Sequence, residues 1–268
     1  MKNDHWNLSR ARRWKLFDPP ARPSHGELDI YRAILSESRI SYGARCALLG
    51  STPEIRRLAC QNNLELHCVD KDPEVYDQLR ELVGEEDRSR FICCDWLEVE
   101  HSNRYEIVFA DGSMNMLPHS QHKQFLEAVW QLLSPGGRVL MRVHIATEPE
   151  FESIEDVFAW ARKFISRESI FTSTRTHIDM TYIRGGMLTV DFRDLHARVR
   201  ELAESHKITK EEYDAYDRLA EFNKISLYYT TKEELRTMVE GMFELKGYRI
   251  GGDYTGDKNH PVVVLDKV

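Results

Sequence analysis

The stretch ALLGSTPEIRRLA, Ala47 to Ala59, decides the fold. An apolar run enters Gly50, and Ser51-Thr52-Pro53-Glu54 then reads as a helix start. Ser51 or Thr52 is placed to cap, Pro53 presets φ for the first turn, and Glu54 complements the N-terminal dipole. The sequence is strand, sharp turn, helix, the arrangement in which nucleotide folds place a glycine-rich loop. A dinucleotide loop needs G-x-G-x-x-G so that pyrophosphate can rest on the helix N-terminus. Here those three positions are Gly50, Thr52 and Ile55. Glu54 would set a negative charge beside the phosphates, and no Walker lysine follows. The turn is built by capping rather than by glycine flexibility, and a ligand without phosphates suits it.

Outward from this turn, strand-like and helix-like periods alternate. Strand-like runs are ARCALLG (44–50), LELHCVD (64–70), RFICCDW (90–96), YEIVFADG (105–112) and GRVLMRVH (137–144). Between the second and third lies a helix in which Val75, Leu79, Leu82 and Val83 share one face, with Asp72 as N-cap and Pro73 at the first position. Before the fifth, Phe125, Ala128, Val129, Leu132 and Leu133 form another face, which Pro135-Gly136-Gly137 is expected to terminate. Strand–helix alternation with short connections calls for a parallel sheet covered on both faces. The fold class is therefore α/β: a doubly wound, mostly parallel, Rossmann-like sheet.

Four segments follow from this pattern. Residues 1–40 form an N-terminal arm carrying Trp6, Trp14, Phe17 and several prolines, with a helix from near His25; it either packs its aromatics on the sheet edge or covers a ligand as a lid. Residues 41–145 form the binding core. Residues 146–230 break the alternation and read as a mostly helical insertion over the acceptor, with SIEDVFAWARKFI and FRDLHARVRELAESH as helices and no strong strand. Residues 231–268 resume the α/β pattern with a Thr231/Glu234 capping box, then two strand-like runs, ELKGYRI and HPVVVLDKV, that close the sheet as an antiparallel pair.

The 268 residues can bury a large core, and the net charge of −7 argues against a nucleic-acid or anionic-membrane surface. No apolar run approaches the roughly 20 residues of a membrane span, and the basic N-terminus lacks the apolar core of a secretory signal. Five cysteines, Cys46, Cys60, Cys68, Cys93 and Cys94, show no zinc spacing, so no metal is expected. They suit reduced thiols in a cytoplasmic protein.

In an open parallel sheet, ligands bind beyond the carboxyl ends of the strands, where the strand order reverses. Gly50-Ser51-Thr52 follows the first strand. Asp70-Lys71 ends the second, about 20 residues beyond Gly50, the spacing from a glycine loop to a ribose-binding carboxylate. Asp95-Trp96 ends the third, and Asp111-Gly112-Ser113 the fourth. Gly50 permits close approach to the backbone, Asp70 can accept from both ribose hydroxyls, Asp95 from an exocyclic amine, and Trp96 offers apolar surface to a purine.

These runs together resemble the class I S-adenosylmethionine-dependent methyltransferases. ALLGSTPE looks like their first motif in a Gly-x-Thr-Pro-Glu variant, LHCVDKDPE the second, FICCDWLE the adenine-contacting segment, IVFADGSMNMLP the fourth and LLSPGGRVLMRV the sixth. The resemblance covers about 100 residues and departs from the family at the first motif, where Thr52 and Glu54 replace glycines. It implies S-adenosyl-L-methionine as cofactor, in-line methyl transfer to a small-molecule acceptor, and Gly50, Ser51, Thr52, Asp70, Lys71, Asp95, Trp96, Asp111, Gly112 and Ser113 as cofactor-binding residues. Two other readings stay open. One is non-methyl chemistry on the same sulfonium, such as cyclisation or lysis. The other is a cofactor-binding protein without turnover.

A base is needed only where the acceptor has a proton to lose. The candidates are His144, where the fifth strand meets the insertion, and then His119 and His122. Tyr228 and Tyr229 stand before the last helix and are candidates to face the acceptor, Tyr229 as a catalytic residue. Ser113 and Asn115 can hold the methionine tail, the acceptor or the turn itself. Trp14, Arg22 and Tyr31 are lid candidates, and TRTHIDMTYIRGG (174–186) brings His177, Asp179, Tyr182 and Arg184 as possible acceptor contacts. The apolar residues of the insertion suit either an acceptor or a second subunit, so a homodimer stays open.

Overall fold

The computed structural model describes residues 10–37, 42–99, 104–163, 169–217 and 225–268; Trp6 of the arm lies outside them. Nine strands and ten α-helices are formed by these residues. A seven-stranded sheet has the order β3-β2-β1-β4-β5-β9-β8, from β1 (Arg45–Leu49), β2 (Glu65–Asp70), β3 (Arg90–Cys93), β4 (Tyr105–Asp111), β5 (Leu133–Arg142), β8 (Phe243–Arg249) and β9 (Val262–Lys267). The first five pair in parallel, and β9 runs antiparallel between β5 and β8. The chain builds outward from β1 to β3 and then crosses back to β4, so the order reverses between β1 and β4.

Alternation along β4 supplies both faces: Val108 and Ala110 join one cluster, Ile107 and Phe109 the other. The first face is covered by α5 (His119–Leu132) and α10 (Lys232–Val239), through Phe125, Val129, Leu132, Leu235 and Val239. The second is covered by α2 (His25–Glu37) and α3 (Pro53–Gln61), through Tyr31, Ile34, Ile55 and Leu58. Tyr31 is wholly buried edge-on to Phe109, so it belongs to the core and not to a lid. The remaining helix of this half, α4 (Pro73–Val83), starts as its sequence implies: the Asp72 side chain accepts from the amides of Glu74 and Val75, with Pro73 in the first turn.

Several local readings are corrected. Pro135-Gly136-Gly137 does not terminate a helix; α5 ends at Leu132 and those residues lie inside β5, where the register with β4 shifts. Backbone pairing to Tyr105 continues across the irregularity. The third strand stops at Cys93, which leaves Asp95 and Trp96 in the following turn. Residues 146–230 do contain strands: β6 (Thr189–Asp191) and β7 (Ser226–Tyr228) pair antiparallel, too short for period-two patterning to register.

The rest of that segment is helical, with α6 (Ile154–Ala161), α7 (Ile170–Tyr182), α8 (Phe192–Glu204) and α9 (Lys210–Asp217) around a core of Phe158, Ile178, Phe192, Leu195, Val199 and Tyr216. It leaves and rejoins the sheet at one place. Ile145 bridges Thr230, and the Ala146 amide donates to the Thr230 carbonyl at 2.8 Å. In the arm, α1 (Arg10–Trp14) lies against α4. Among the described residues no helix is long and apolar enough to cross a membrane.

Candidate active site

The carboxyl ends of β1 to β4 bring the sequence-selected residues to one edge of the sheet. Gly50 has φ +119, with nothing within 4 Å of where a Cβ would stand; the left-handed backbone favours glycine there, and the space before it is open. The next residue, Ser51, is buried and its hydroxyl has no hydrogen-bond partner among the described residues. Thr52 occupies the N-cap position of α3, yet its side chain makes no cap. Its hydroxyl instead donates to Asp111 Oδ2 at 2.9 Å, which corrects the capping expectation for this turn. Pro53 and Glu54 do occupy the first turn.

Asp70 is partly buried at the end of β2, and burial raises its carboxyl above the usual range. One oxygen accepts from the Asp72 amide at 3.2 Å. The exposed Lys71 ammonium stands 4.0 Å from Asp95 Oδ2. Asp95 Oδ1 accepts from the Leu97 amide at 3.0 Å. Trp96 donates its indole N–H to the Val69 carbonyl at 2.7 Å and meets Phe125 edge-on, which fixes the ring beside the end of β2. Gly50, Asp70 and Trp96 thus offer an open backbone, a carboxylate and an anchored apolar ring at or just beyond the ends of neighbouring strands. These groups fit a ribose and a purine.

Asp111 and Ser113 are differently employed. Asp111 accepts from Thr52 on one oxygen and from Arg142 Nε at 2.5 Å on the other. Ser113 donates to the Leu49 carbonyl at 2.5 Å. Both hold the ends of β1 and β4 together. Gly112 has φ +68, a backbone conformation that favours glycine, and His144 Nε2 stands in ordinary contact, 3.5 Å from its Cβ position.

Arg142, which sequence reasoning passed over, is the centre of the site. It is buried, and Nη1 donates to the carbonyls of Pro20 at 2.8 Å and Arg22 at 3.3 Å while standing 3.5 Å from Glu27. Glu27 is itself buried, accepts from the Ser24 amide and the Tyr254 hydroxyl, and has its carboxyl pushed up by burial. One cation therefore ties β4, α2 and the arm. The arm also closes on α3: Trp14 donates its indole N–H to Glu54 Oε1 at 2.9 Å, and Arg22 lies 4.0 Å from the same carboxylate. Burial raises the Glu54 pKa, with the Trp14 bond opposing it. The only signal for Arg142 in the sequence was a charge inside an apolar strand.

A cavity of about 110 Å³ lies where arm, core and insertion meet, lined by Pro20 and Ala21, by Asp111, Gly112, Met116, Arg142 and His144, and by Phe171, Arg175, Asp179, Phe192 and Leu227. His144 is held by its backbone: its amide donates to Asn115 Oδ1 at 2.9 Å, and Asn115 Nδ2 donates to the carbonyls of His144 and Tyr228. Burial and the nearby Arg142 and Arg175 push the imidazole down to about 3, so it is neutral at physiological pH. Tyr229 does not line the cavity; it is buried and donates its hydroxyl to Asp179 Oδ2 at 2.8 Å. His119 and His122 lie elsewhere, bonded to the carbonyls of Tyr229 and Leu117. Of the 174–186 run, Arg175 and Asp179 reach the cavity, while Tyr182 bonds Asp194 and Arg184 bonds Glu152. Among the described residues no group of three or more His, Cys, Asp or Glu is placed to hold a metal.

Residues 49–137, about a third of the chain, match the family model of a methyltransferase domain. That segment resembles a methyltransferase domain, and the sheet around it has a Rossmann-like fold. No curated protein matches by sequence. Similar solved structures include a Rhodobacter sphaeroides protein bearing the name of the Zn-dependent alcohol dehydrogenases, at 16% identity and TM-score 0.61, covering 98% of this chain and 100% of that one. N-methyltransferase NodS from Bradyrhizobium japonicum WM9, in complex with S-adenosylhomocysteine, is similar at 10% identity and TM-score 0.53, covering 95% of this chain and 91% of that one. The 1,6-didemethyltoxoflavin N1-methyltransferase of Burkholderia thailandensis is similar at 12% identity and TM-score 0.50, covering 99% and 81%. At such identities these likenesses speak for the fold alone.

Proposed function

We propose that the chain is an S-adenosylmethionine-dependent methyltransferase for a small-molecule acceptor. The cofactor site lies at the ends of β1 to β3, and the acceptor site is the cavity under the insertion. The observation that carries this reading is the convergence of Gly50, Asp70 and the Asp95–Trp96 turn at the reversal of strand order, within the segment that resembles a methyltransferase domain. Bound S-adenosylmethionine supplies an electrophilic methyl group on a sulfonium. Gly50 allows close backbone approach, Asp70 accepts from ribose hydroxyls, Asp95 accepts from an amine, and Trp96 covers a purine face or edge. Ser51 offers its unpartnered hydroxyl. Thr52, Asp111 and Ser113 keep the crevice in shape, because their polar atoms are engaged within the chain.

On the acceptor side, Arg142 holds the arm across the cavity and so excludes water, and positioning supplies most of the catalysis. Neutral His144 is a weak base, with Nδ1 unpartnered among the described residues. It suits an acceptor that needs orientation more than deprotonation. Tyr229 acts one residue removed, by fixing Asp179.

Calorimetric titration with S-adenosylmethionine and S-adenosylhomocysteine tests the cofactor reading. Saturable binding is expected for wild type, weakened at least about tenfold by Asp70→Ala through loss of charge-assisted bonds, with the unfolding midpoint little changed. A well-folded wild type that binds neither compound overturns the proposal. Product analysis by mass separates methyl transfer, which leaves S-adenosylhomocysteine, from reactions releasing methylthioadenosine.

A further inference from the structure

Two arginines line the cavity, and they are in opposite states. Arg142 is consumed by Asp111, Pro20 and Arg22. Arg175, from α7, is also buried, and its Nε donates to Asp179 Oδ2 at 3.1 Å while its guanidinium lies 4.0 Å over the face of Phe192. Neither terminal nitrogen of Arg175 has a hydrogen-bond partner among the described residues. A guanidinium carries five donors in a rigid fork, and Arg175 spends only the one on Nε among the described residues. The neighbouring Asp179 is also incomplete: Oδ2 takes both Arg175 and Tyr229, and Oδ1, itself shielded from solvent, has no partner among the described residues.

We propose that this cavity takes a small α-amino acid, its carboxylate on the terminal nitrogens of Arg175 and its ammonium on Asp179. The proposal rests on the acceptor role given to the cavity above and names the class of compound it admits. Charge decides between a zwitterion and a simple anion. Arg142 and Arg175 are already opposed by Asp111, Asp179 and Glu27, so a lone carboxylate would add charge to a site that is balanced or negative. A zwitterion adds none, and it satisfies the unused donors and the unused acceptor together. The fork of Arg175 matches a carboxylate, and in an α-amino acid the two charged groups sit on one carbon, as Arg175 and Asp179 sit side by side. Phe171, Leu227 and Met116 leave an apolar wall for the side chain. A cavity of about 150 Å³ holds benzene, so the 110 Å³ here restricts that side chain to a few carbons.

The test is calorimetric titration of alanine, 2-aminobutyrate and valine into the full chain, with and without S-adenosylhomocysteine. Each is compared with its methyl ester and its 2-hydroxy analogue. The expected result is saturable binding of at least one amino acid, with ester and hydroxy acid each weaker by about tenfold or more. Arg175→Lys keeps a cation beside Asp179 but loses the fork. It should abolish the preference for acid over ester while S-adenosylhomocysteine binds as in wild type. Asp179→Asn should abolish the preference for amino over hydroxy acid. The wild-type comparison stands alone if a variant fails to fold.

The proposal is overturned if no amino acid binds either form below about 10 mM, if esters or hydroxy acids bind equally, or if Arg175→Lys retains the acid preference. Failure of S-adenosylhomocysteine to bind would sink the cofactor reading alone, since the titrations without it report on the cavity independently.

Discussion

Thr52 donates to Asp111 across 2.9 Å, and that bond spans the gap between β1 and β4 where the sheet changes direction. The residue at the N-cap position of α3 thus spends its hydroxyl on tertiary structure. Thr52→Val keeps the shape and removes the donor. It should cost about 1 kcal/mol in urea unfolding and up to about 2 if Asp111 is left partly unsatisfied. Cofactor affinity should fall severalfold and Thr52→Ser should restore it. Equal midpoints and equal affinities in Thr52→Val would show that the bond does not set the crevice.

Arg142→Gln strands Asp111 and Glu27 together. Breaking a buried ion pair from one side costs about 3–5 kcal/mol, and the carbonyls of Pro20 and Arg22 lose their donor. A large drop in the unfolding midpoint is expected, together with faster proteolytic cleavage around residues 14–24. Wild-type resistance of the arm in this variant would mean that Trp14 and Glu54 hold it without Arg142.

Asn115→Ala removes three bonds at once, two accepted by backbone carbonyls and one donated by a backbone amide. At about 1 kcal/mol each, the loss should reach about 2–4 kcal/mol. The first cleavages in limited proteolysis should fall in residues 146–230, with β1 to β4 intact. Cleavage distributed evenly over the chain would refute this placement of the joint.

His144 gives a pH signature. Its folded pKa lies near 3, below the ordinary histidine value, so the unfolded chain binds the extra proton first. Stability is full above about pH 6.5 and declines as the pH falls toward the folded value, by up to about 1.4 kcal/mol per unit. His260, buried beside it and also pushed down, acts in the same sense. Glu27 and Asp179 have raised values and act in the opposite sense, gaining stability as acid protonates the folded form. The difference between wild type and His144→Gln isolates the imidazole. Denaturant titrations from pH 7 to 4.5 should show wild type losing ground to the variant, and parallel curves would contradict a buried neutral imidazole.

How far the sequence carried the reading depended on range. Apolar runs, Asp72-Pro73 and the Thr231/Glu234 box are local signals, and the sheet, α4 and α10 formed where they pointed. Gly50, Asp70, Asp95 and Asp111 could be placed at one edge of the sheet from the sequence because strand ends converge by topology. Thr52 misled because its cap position is local while its partner is 59 residues away. Arg142 stayed hidden for the same reason: its partners lie on other elements, and a lone polar residue in an apolar run carries no address. Arg175 stayed hidden although Asp179 is four residues away on the same helix, because what singles it out is the cavity that it lines. The strands β6 and β7 were too short to show a period.

Residues 145 and 230 depart and return side by side, so a change of length or sequence between them need not move the strand ends that carry Gly50, Asp70 and Trp96. On the proposed reading, substitutions at Phe171, Arg175, Asp179 and Leu227 should change which acceptor is admitted while Arg142 and His144, on the core side of the same cavity, stay fixed.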